Sequence, residues 1–555
     1  MTFKNPLLLA FAINLPFLML YFAFGQVRQG SLDDYFMSGV LTGAYGSDYD
    51  VHMFFVNSAY AYFLKPFYWL FPKAGWYYIF ELLGTFSAFT AIAYVVIRKI
   101  GTQWGILVAA LILASLTPDF YFQLSFTQCA TLYTAAGILL IAFGSLENAR
   151  RLLVVGGIFV IAGSIMRWEG FLLGLPYLVV LLAAQWFDCG KLRRLVVIVL
   201  ASTFVVAFGL REYDKTLYAE GDYKYYADYQ PVRAYFGDGA FYDQESTYDE
   251  LEERGMPGLD YNLLKSWVYY DTEVFCIDSL LPIKEVAQNN RYSLNWKRLP
   301  VAFFLAVSNA FMRSSGWCWV LLCTLLILTG TKKSGLYPWV SLGIVAVSIG
   351  YLLWVNRLVY HVESGVWLYA IVFAVPCLED SFFEKNVFLL KRNNILKTGL
   401  LLISIIFVTV EIMGQSSLKR TATLIETPAL TDDWKSFLEY TQKHLDDVFL
   451  LSFEQYKVLG ALKNPAYLAI EPGSWNNIYS WGYWNIHLPA MKKELAARGV
   501  ENPLRDIVRD NVYVLQDGAQ QPLEVFYEKH YHKRIVSDTV IVFGALVLQK
   551  YRLID

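Results

Sequence analysis

Residues 6–36 read PLLLAFAINLPFLMLYFAFGQVRQGSLDDYF, an apolar run followed within a few residues by two adjacent carboxylates. The run from 6 to 24 has about the 20 apolar residues that cross the hydrocarbon core as a helix. No A-x-A cleavage site follows it, so we expect an uncleaved first helix rather than a signal peptide. Asp33 and Asp34 then lie next to hydrocarbon, where ionised groups are costly and usually functional. This stretch predicts a membrane protein with an acidic site at the bilayer surface.

The composition of the whole chain is that of a multi-pass membrane protein. Hydrophobic residues make up 56% of the 555 residues and charged residues 17%, whereas soluble domains carry roughly 25% charged residues. The net charge of −2 does not indicate a class of partner, and no Lys/Arg-rich run suggests a nucleic-acid partner. Aromatic residues reach 17%, which suits membrane-interface belts and sugar-stacking surfaces alike.

Apolar segments along the chain predict an α-helical polytopic membrane protein with about 11 transmembrane helices. The predicted spans are 6–25, 75–97, 104–117, 126–146, 152–166, 170–187, 195–210, 315–330, 335–355, 364–378 and 398–413. Basic clusters fall on one side of these spans, which the positive-inside rule identifies as cytoplasmic. The clusters are Arg98-Lys99, Arg150-Arg151, Lys191 with Arg193-Arg194, Lys332-Lys333, and Lys385 with Lys391-Arg392.

The N-terminus is therefore expected in the cytoplasm and the C-terminus outside the plasma (inner) membrane. The absence of an Asn-x-Ser/Thr sequon favours a bacterial source. Within a bundle of residues 1–413, the loops 26–74 and 211–298 face outward. Residues 414–555 form an extracytoplasmic domain, with predicted strands after Asp446-Asp447 and at 511–515 and predicted helices at 490–497 and 503–509. This alternation is typical of a small α/β domain.

The first outer loop contains a second acidic group, Asp48 and Asp50, followed by His52. These three side chains could contact substrate or a metal, or could belong to an ordinary solvated loop. Residues 51–71 are apolar and aromatic, and we expect them to form a helix lying in the membrane interface.

The layout resembles the GT-C superfamily of integral-membrane glycosyltransferases. The resemblance lies in the first helix, the long outer loop that opens with Asp33-Asp34, the interfacial helix, about eleven spans and the outward C-terminal domain. It implies transfer of a sugar from a polyprenyl-phosphate or polyprenyl-diphosphate donor to a cell-surface glycan or lipid-linked acceptor, with inversion. It also maps the catalytic base onto Asp33 or Asp34.

Some members of the superfamily bind a divalent metal, Mg²⁺ or Mn²⁺, through an acidic motif in the second outer loop. In this chain that loop, near 117–128, has only Asp119, so a metal-free mechanism in which arginine holds the phosphate is expected. Fixed cations stabilise the charge that develops on a leaving phosphate, and arginine suits this through its planar fork.

Four arginines fall at predicted outer ends of spans, namely Arg167, Arg211, Arg313 and Arg357. Arg167 is next to Glu169 in Met-Arg-Trp-Glu-Gly, and Arg357 precedes His361 by four residues, which would share a helix face. We expect Arg167, Arg357 and His361 to bind the donor phosphate. The alternative for each arginine is a side chain that extends to the interface for solvation.

Aromatic clusters in the other outward segments could bind carbohydrate. In the second loop Arg233 follows Tyr225, Tyr226 and Tyr229, and in the C-terminal domain Trp475, Trp481 and Trp484 lie within ten residues. They could equally pack these segments onto the bundle.

Two other functions share the membrane and lipid-sugar features. A flippase or transporter of lipid-linked glycans would be expected to have central charges and repeated halves, and neither is apparent. A polysaccharide polymerase or ligase would use the same lipid-phosphate chemistry and differ in the size of the unit transferred.

Overall fold

The computed structural model describes residues 5–554 with gaps, and the described part is mainly helical. The residues outside it are 1–4, 26, 190–192, 238–241, 257, 292–298, 330–333, 356, 379–394, 396, 411–412, 414–427, 462–464, 517–522 and 555. Some predicted features lie outside the described residues, namely Lys191, Lys332-Lys333, Lys385, Lys391-Arg392 and the residues that follow the predicted domain boundary at 413.

The helices, in chain order, are α1 (Pro6–Phe24), α2 (Leu32–Thr42), α3 (Ser58–Leu70), α4 (Trp76–Ile100), α5 (Thr102–Phe120), α6 (Phe126–Glu147), α7 (Arg150–Met166), α8 (Trp168–Cys189), α9 (Arg194–Tyr218), α10 (Gly221–Gly237), α11 (Gln244–Glu253), α12 (Gly258–Lys265), α13 (Ile277–Asn289), α14 (Leu299–Phe311), α15 (Ser314–Thr329), α16 (Tyr337–Trp354), α17 (Tyr360–Cys377), α18 (Lys397–Val410), α19 (Pro428–Lys443), α20 (Phe453–Ala461), α21 (Pro489–Ala497) and α22 (Leu523–Tyr531).

Where the structure describes them, the predicted spans overlap helices α1, α4 to α9 and α15 to α18. Within the described residues, 7 helices are long and apolar enough to cross a membrane, and the count is 8 if α14 and α15 form one bent span. These two helices meet at an angle of 90°, and α14 was not among the predicted elements. The polytopic helical class is confirmed. Fewer full-length spans than the predicted number are found among the described residues: α7 has 17 residues, α17 is not among the candidate spans, and α18 is described only over Lys397–Val410.

Helix α6 is the centre of the bundle and packs against α4, α7, α8 and α17. Glycines allow α6 and α7 to approach closely: a Cβ at Gly137 would lie 2.6 Å from the Gly156 carbonyl oxygen. A Cβ at Gly163 would lie 2.1 Å from Thr134 Oγ1. Small residues at a helix interface permit this backbone contact, which supplies van der Waals packing in lipid.

The first outer loop is more helical than the sequence predicted. The acidic pair lies in the first turn of α2, and the expected interfacial helix over 51–71 begins only at Ser58, where the Asn57 side chain caps the backbone N–H of Ala59. Asn57 favours a cap because its side-chain oxygen satisfies an otherwise unpaired helix N–H. Exposed aromatic side chains on α3, such as Phe63 and Trp69, suit the interfacial position.

The C-terminal part is a small α/β domain, as predicted. Its sheet has the order β2-β1-β3-β5-β4, with β1 (Val448–Leu451), β2 (Ile478–Ser480), β3 (Val512–Leu515), β4 (Arg534–Phe543) and β5 (Leu546–Ile554). Strand β1 is fully buried and pairs in parallel with β2 and β3, whereas β5 pairs antiparallel with β3 and β4. The predicted strands and the helix at 490–497 are confirmed, but 503–509 forms only a 3₁₀ turn at Arg505–Val508.

All three segments predicted to face outward meet at one end of the bundle. The Gln230 side chain of α10 donates to the Trp484 carbonyl oxygen at 2.7 Å. The Gly75 N–H donates to the Tyr467 carbonyl oxygen at 2.7 Å, and His52 stacks on Tyr223. The first loop, the second loop and the C-terminal domain therefore enclose the same surface.

Candidate active site

The acidic pair is held by a helix N-terminus. Ser31 caps α2 by accepting from the Asp34 backbone N–H at 3.2 Å, while its hydroxyl donates to Asp34 Oδ2 at 2.5 Å. Ser31 thus acts as the N-cap and as a donor to Asp34, and negative side chains are stabilised in the first turn of a helix. Asp33 and Asp34 are neighbours on the chain, but they point to different surroundings.

Asp34 is fully buried and joins three helices. Its Oδ1 accepts from the Tyr77 hydroxyl of α4 at 2.7 Å and from the Phe126 backbone N–H at 3.0 Å. Phe126 is the first residue of α6, and the Ser125 side chain at its N-cap makes no capping hydrogen bond. Asp34 therefore supplies the acceptor and the negative charge that the N-terminus of α6 needs.

Burial raises the pKa of the Asp34 carboxyl to about 7. The hydrogen bonds from Ser31, Tyr77 and the Phe126 N–H act in the opposite direction because they favour the ionised form, and the charge of Asp33 raises the pKa further.

Asp33 is half-buried, and its Oδ1 accepts from the Tyr483 hydroxyl at 2.6 Å. Tyr483 belongs to the C-terminal domain and is 450 residues away in the sequence. Its ring packs on Phe36 of α2 with centroids 5.3 Å apart. The C-terminal domain therefore contributes directly to the surroundings of the acidic pair.

Arg167, in the turn between α7 and α8, is the cation beside the acidic pair. Its Nη1 donates to Thr127 Oγ1 at 2.6 Å, its guanidinium lies 5.1 Å from the Phe126 ring centroid, and its Nε is 3.7 Å from Glu169 Oε2. Arg167 is within electrostatic range of Asp33 and Asp34.

Arg357 and His361 both lie near Arg167. Arg357 is exposed, and His361 is half-buried in the first turn of α17. The expectation that the two share a helix face is wrong, because α17 begins at Tyr360 and Arg357 lies in the non-helical segment before it. The structure thus brings together Asp33, Asp34, Arg167, Arg357 and His361, although by a different local geometry.

The other two arginines are engaged elsewhere. The guanidinium of Arg211 lies 4.2 Å from the Trp168 ring centroid. Arg313 Nη2 is 3.4 Å from Glu363 Oε2, and its guanidinium lies 4.2 Å from the Tyr360 ring centroid. The Tyr360 hydroxyl also donates to Asp119. Arg313 therefore has Glu363 as an ion-pair partner, in keeping with its absence from the expected phosphate ligands.

The second acidic group of the first loop is split by the fold. Asp48 is exposed, whereas Asp50 Oδ1 accepts from both the His52 backbone N–H at 3.0 Å and its Nδ1 at 2.7 Å. The Tyr223 hydroxyl donates to Asp50 Oδ2, and the Tyr223 ring stacks on His52 with centroids 3.5 Å apart. Asp50 and His52 form an ordered pair that the second loop covers.

Arg233 is buried and donates from Nε to Gln230 Oε1 at 2.7 Å. Its guanidinium lies 5.8 Å from the Trp267 ring centroid, and the Trp267 ring lies 6.2 Å from that of Tyr483. The rings of Trp267 and Tyr483 therefore lie between Arg233 and Asp33.

The tryptophans of the C-terminal domain pack rather than form an open platform. Trp475, Trp481 and Trp484 are 2% exposed or less. Trp475 contacts Tyr35 and Tyr45 of the first loop, with ring centroids 5.2 Å apart in each case. Of the two expectations for this segment, packing against the bundle is the one observed.

Among the described residues, no group of three His, Cys, Asp or Glu side chains could hold a metal ion. Asp119, the acid of the second outer loop, is buried in the last turn of α5 and accepts from Tyr360. The metal-free mechanism stays a prediction, with a divalent metal such as Mg²⁺ or Mn²⁺ as its alternative.

Two residues of this site were missed in the sequence. Glu81 of α4 is fully buried against Asp34, and the signal was an acid inside the apolar run WYYIFELLG, since such residues are usually functional. The sequence has no signal that would place Tyr483 beside Asp33.

No protein-family model and no curated protein matches the chain. Two solved structures match it over nearly the full length. ArnT from Cupriavidus metallidurans bound to undecaprenyl phosphate is 11% identical with a TM-score of 0.38, covering 97% of this chain and 97% of that chain. The apo state of the same protein is 12% identical with a TM-score of 0.37, covering 98% and 97%.

Proposed function

We propose that this protein is a membrane glycosyltransferase that uses a polyprenyl-phosphate sugar donor and transfers the sugar to a cell-surface glycan or lipid-linked acceptor. One observation carries the proposal: a half-buried carboxylate, Asp33, lies at one end of an apolar bundle within electrostatic range of Arg167, and Arg167 is within electrostatic range of Arg357 and His361. A base and a phosphate-binding group at the membrane surface are the two parts that such a transfer needs.

In the proposed step, Asp33 is the base. The acceptor hydroxyl gives its proton to the Asp33 carboxylate as its oxygen forms a bond to the anomeric carbon. The bond from that carbon to the phosphate oxygen breaks, and its electron pair leaves with the polyprenyl phosphate. Attack from the face opposite the phosphate inverts the anomeric centre.

Asp34 is assigned a positioning role. Its two oxygens already accept three hydrogen bonds, and the side chain has no exposed surface. An acceptor hydroxyl cannot come within hydrogen-bond reach of a base in that position without displacing a donor. Asp33 is half-buried rather than fully buried, so an acceptor hydroxyl can approach its carboxylate.

Arg167 and Arg357 are assigned to the donor phosphate, with His361 as a further contact. Their fixed positive charges stabilise the additional negative charge on the departing phosphate. Arg167 is already oriented by Thr127 and the Phe126 ring, so less ordering is needed when the phosphate binds.

Mass spectrometry of cell-surface glycans and polyprenyl-linked sugars in a deletion strain tests the proposal. The strain is complemented with wild type, Asp33→Asn or Arg211→Gln, the last as a control cation outside the cluster. We expect Asp33→Asn to lose one glycan residue and to accumulate its lipid-linked donor, while wild type and Arg211→Gln restore the glycan. Normal glycans with Asp33→Asn, but not in the deletion, would overturn the assignment. Accumulation of the donor on the cytoplasmic leaflet alone would indicate a flippase.

A further inference from the structure

Glu81 is a buried acid that the proposed mechanism does not use. It lies on the second turn of α4, has no exposed surface, and neither of its carboxyl oxygens has a hydrogen-bond partner of normal geometry among the described residues. A carboxyl group in that state is unstable if ionised, because burial without compensation strongly disfavours the charged form.

The groups that face Glu81 come from four helices, and all are acidic or neutral. Asp34 and the Tyr77 hydroxyl are adjacent to it. The other titratable groups in range are Tyr60, Tyr68, Tyr78, Cys129 and Tyr133. No lysine or arginine is among these neighbours, so an ion pair does not offset the burial.

Two carboxylates in contact in a buried site cannot both be ionised. Asp34 accepts hydrogen bonds from Ser31, Tyr77 and the Phe126 N–H, and each favours its ionised form. Glu81 has no such donor. The proton of the pair therefore belongs to Glu81, whose O–H can then donate to Asp34.

We propose that Glu81 is a protonated carboxylic acid that donates to Asp34 and acts as a positioning residue for the site. It holds Asp34 between the N-terminus of α6 and α4, and through α2 it fixes the direction of Asp33. The catalytic consequence rests on the proposed function, whereas the location of the proton does not.

Infrared difference spectroscopy of the purified full-length protein above pH 7 tests the location of the proton directly. We expect wild type to show the carbonyl band of a buried carboxylic acid and Glu81→Gln to lose it. Glu363→Gln is the matched control, since Glu363 is a buried acid in an ion pair with Arg313, and it should leave the band in place. An unchanged band in Glu81→Gln would overturn the proposal.

Steady-state kinetics test the positioning role. Glu81→Gln keeps an N–H donor toward Asp34 and should retain most of kcat. Glu81→Leu removes the donor and should lower kcat by up to about 100-fold, the effect of a roughly 1 Å displacement of a catalytic group, with little change in KM. Equal kcat in both variants would remove the positioning role. A lost infrared band in Glu81→Gln, together with full activity in Asp33→Asn, would refute the proposed function and leave the proton on Glu81.

Discussion

Asp33 and Asp34 differ in surroundings more than in chemistry. The structure separates two carboxylates that the sequence cannot distinguish. Asp34 caps α6 and is buried, whereas Asp33 accepts from Tyr483 and is within electrostatic range of Arg167. The two side chains have different surroundings because they point to different sides of the first turn of α2. What lies on each side is determined by the fold and not by the local sequence.

Replacing Asp33 by asparagine should therefore affect mainly the rate of transfer, whereas the same change at Asp34 should affect mainly stability. Asp33→Asn should lower kcat by about 10²–10⁴-fold, the usual contribution of a general base, with an unchanged thermal unfolding temperature. Asp34→Asn should lower the unfolding temperature and affect kcat less, because it weakens the cap of α6. Transfer assays and thermal unfolding of both purified variants provide the measurement, and a larger loss of kcat in Asp34→Asn would reverse the roles.

The raised pKa of Asp34 predicts how stability depends on pH. Burial moves this pKa from the ordinary 3.8 to about 7, so the folded protein binds the proton more tightly than the unfolded chain does. Its contribution to the free energy of unfolding is fully present below 3.8 and is lost as the pH rises through about 7. Thermal unfolding between about pH 4 and 8 should show a steeper decline in wild type than in Asp34→Asn. Identical slopes would contradict the shifted pKa.

At the scale of elements, helix positions could be predicted from the sequence and their local ends could not. Runs of apolar residues located each predicted span, because length and hydropathy alone define a membrane helix. The sequence Ser31-Leu-Asp-Asp is a recognisable helix start, yet it was assigned to a loop. The sequence predicts a helix through Arg357 and His361, but α17 begins at Tyr360, so a shared helix face does not explain why both lie within electrostatic range of Arg167.

The contact between α6 and α7 predicts that one glycine position is far more sensitive than another. In Gly156→Ala the new Cβ would lie 2.8 Å from the Gly137 carbonyl oxygen, whereas at Gly343 of α16 nothing lies within 4 Å. Overpacking at Gly156 should destabilise the bundle by about 1–3 kcal/mol, and Gly343→Ala should be close to neutral. Unfolding of Gly156→Ala and Gly343→Ala in detergent measures the difference. Equal stability of the two variants would show that α6 and α7 can move apart without loss of stability.

At the scale of the whole molecule, the site is built from segments that are far apart in sequence. Positive-inside charges predicted which segments share a side, and the contacts among the first loop, the second loop and the C-terminal domain agree with that grouping. The partners of each segment could not be predicted, because they depend on how the sheet domain docks.

Tyr483→Phe tests whether the C-terminal domain contributes to the reaction. Loss of a hydrogen bond to a charged group corresponds to about 1.5–3 kcal/mol, so kcat/KM should fall by roughly 10–100-fold. Tyr527→Phe is the control, because its hydroxyl donates at 3.0 Å to the Arg505 carbonyl oxygen inside the same domain. Transfer assays should show a loss for Tyr483→Phe alone, and equal activity in both variants would make the contact purely structural.

The hydrogen bond between Tyr483 and Asp33 also has a consequence for biosynthesis. Asp33 leaves the ribosome early, whereas Tyr483 follows 450 residues later, after the candidate membrane helices among the described residues have been made. A nascent chain halted before Tyr483 would already have its helices in the bilayer while its acidic pair still lacked the domain that covers it. Under the proposed function, transfer activity would then be acquired only after the C-terminal domain has been made, and incomplete copies would not consume the lipid-linked sugar.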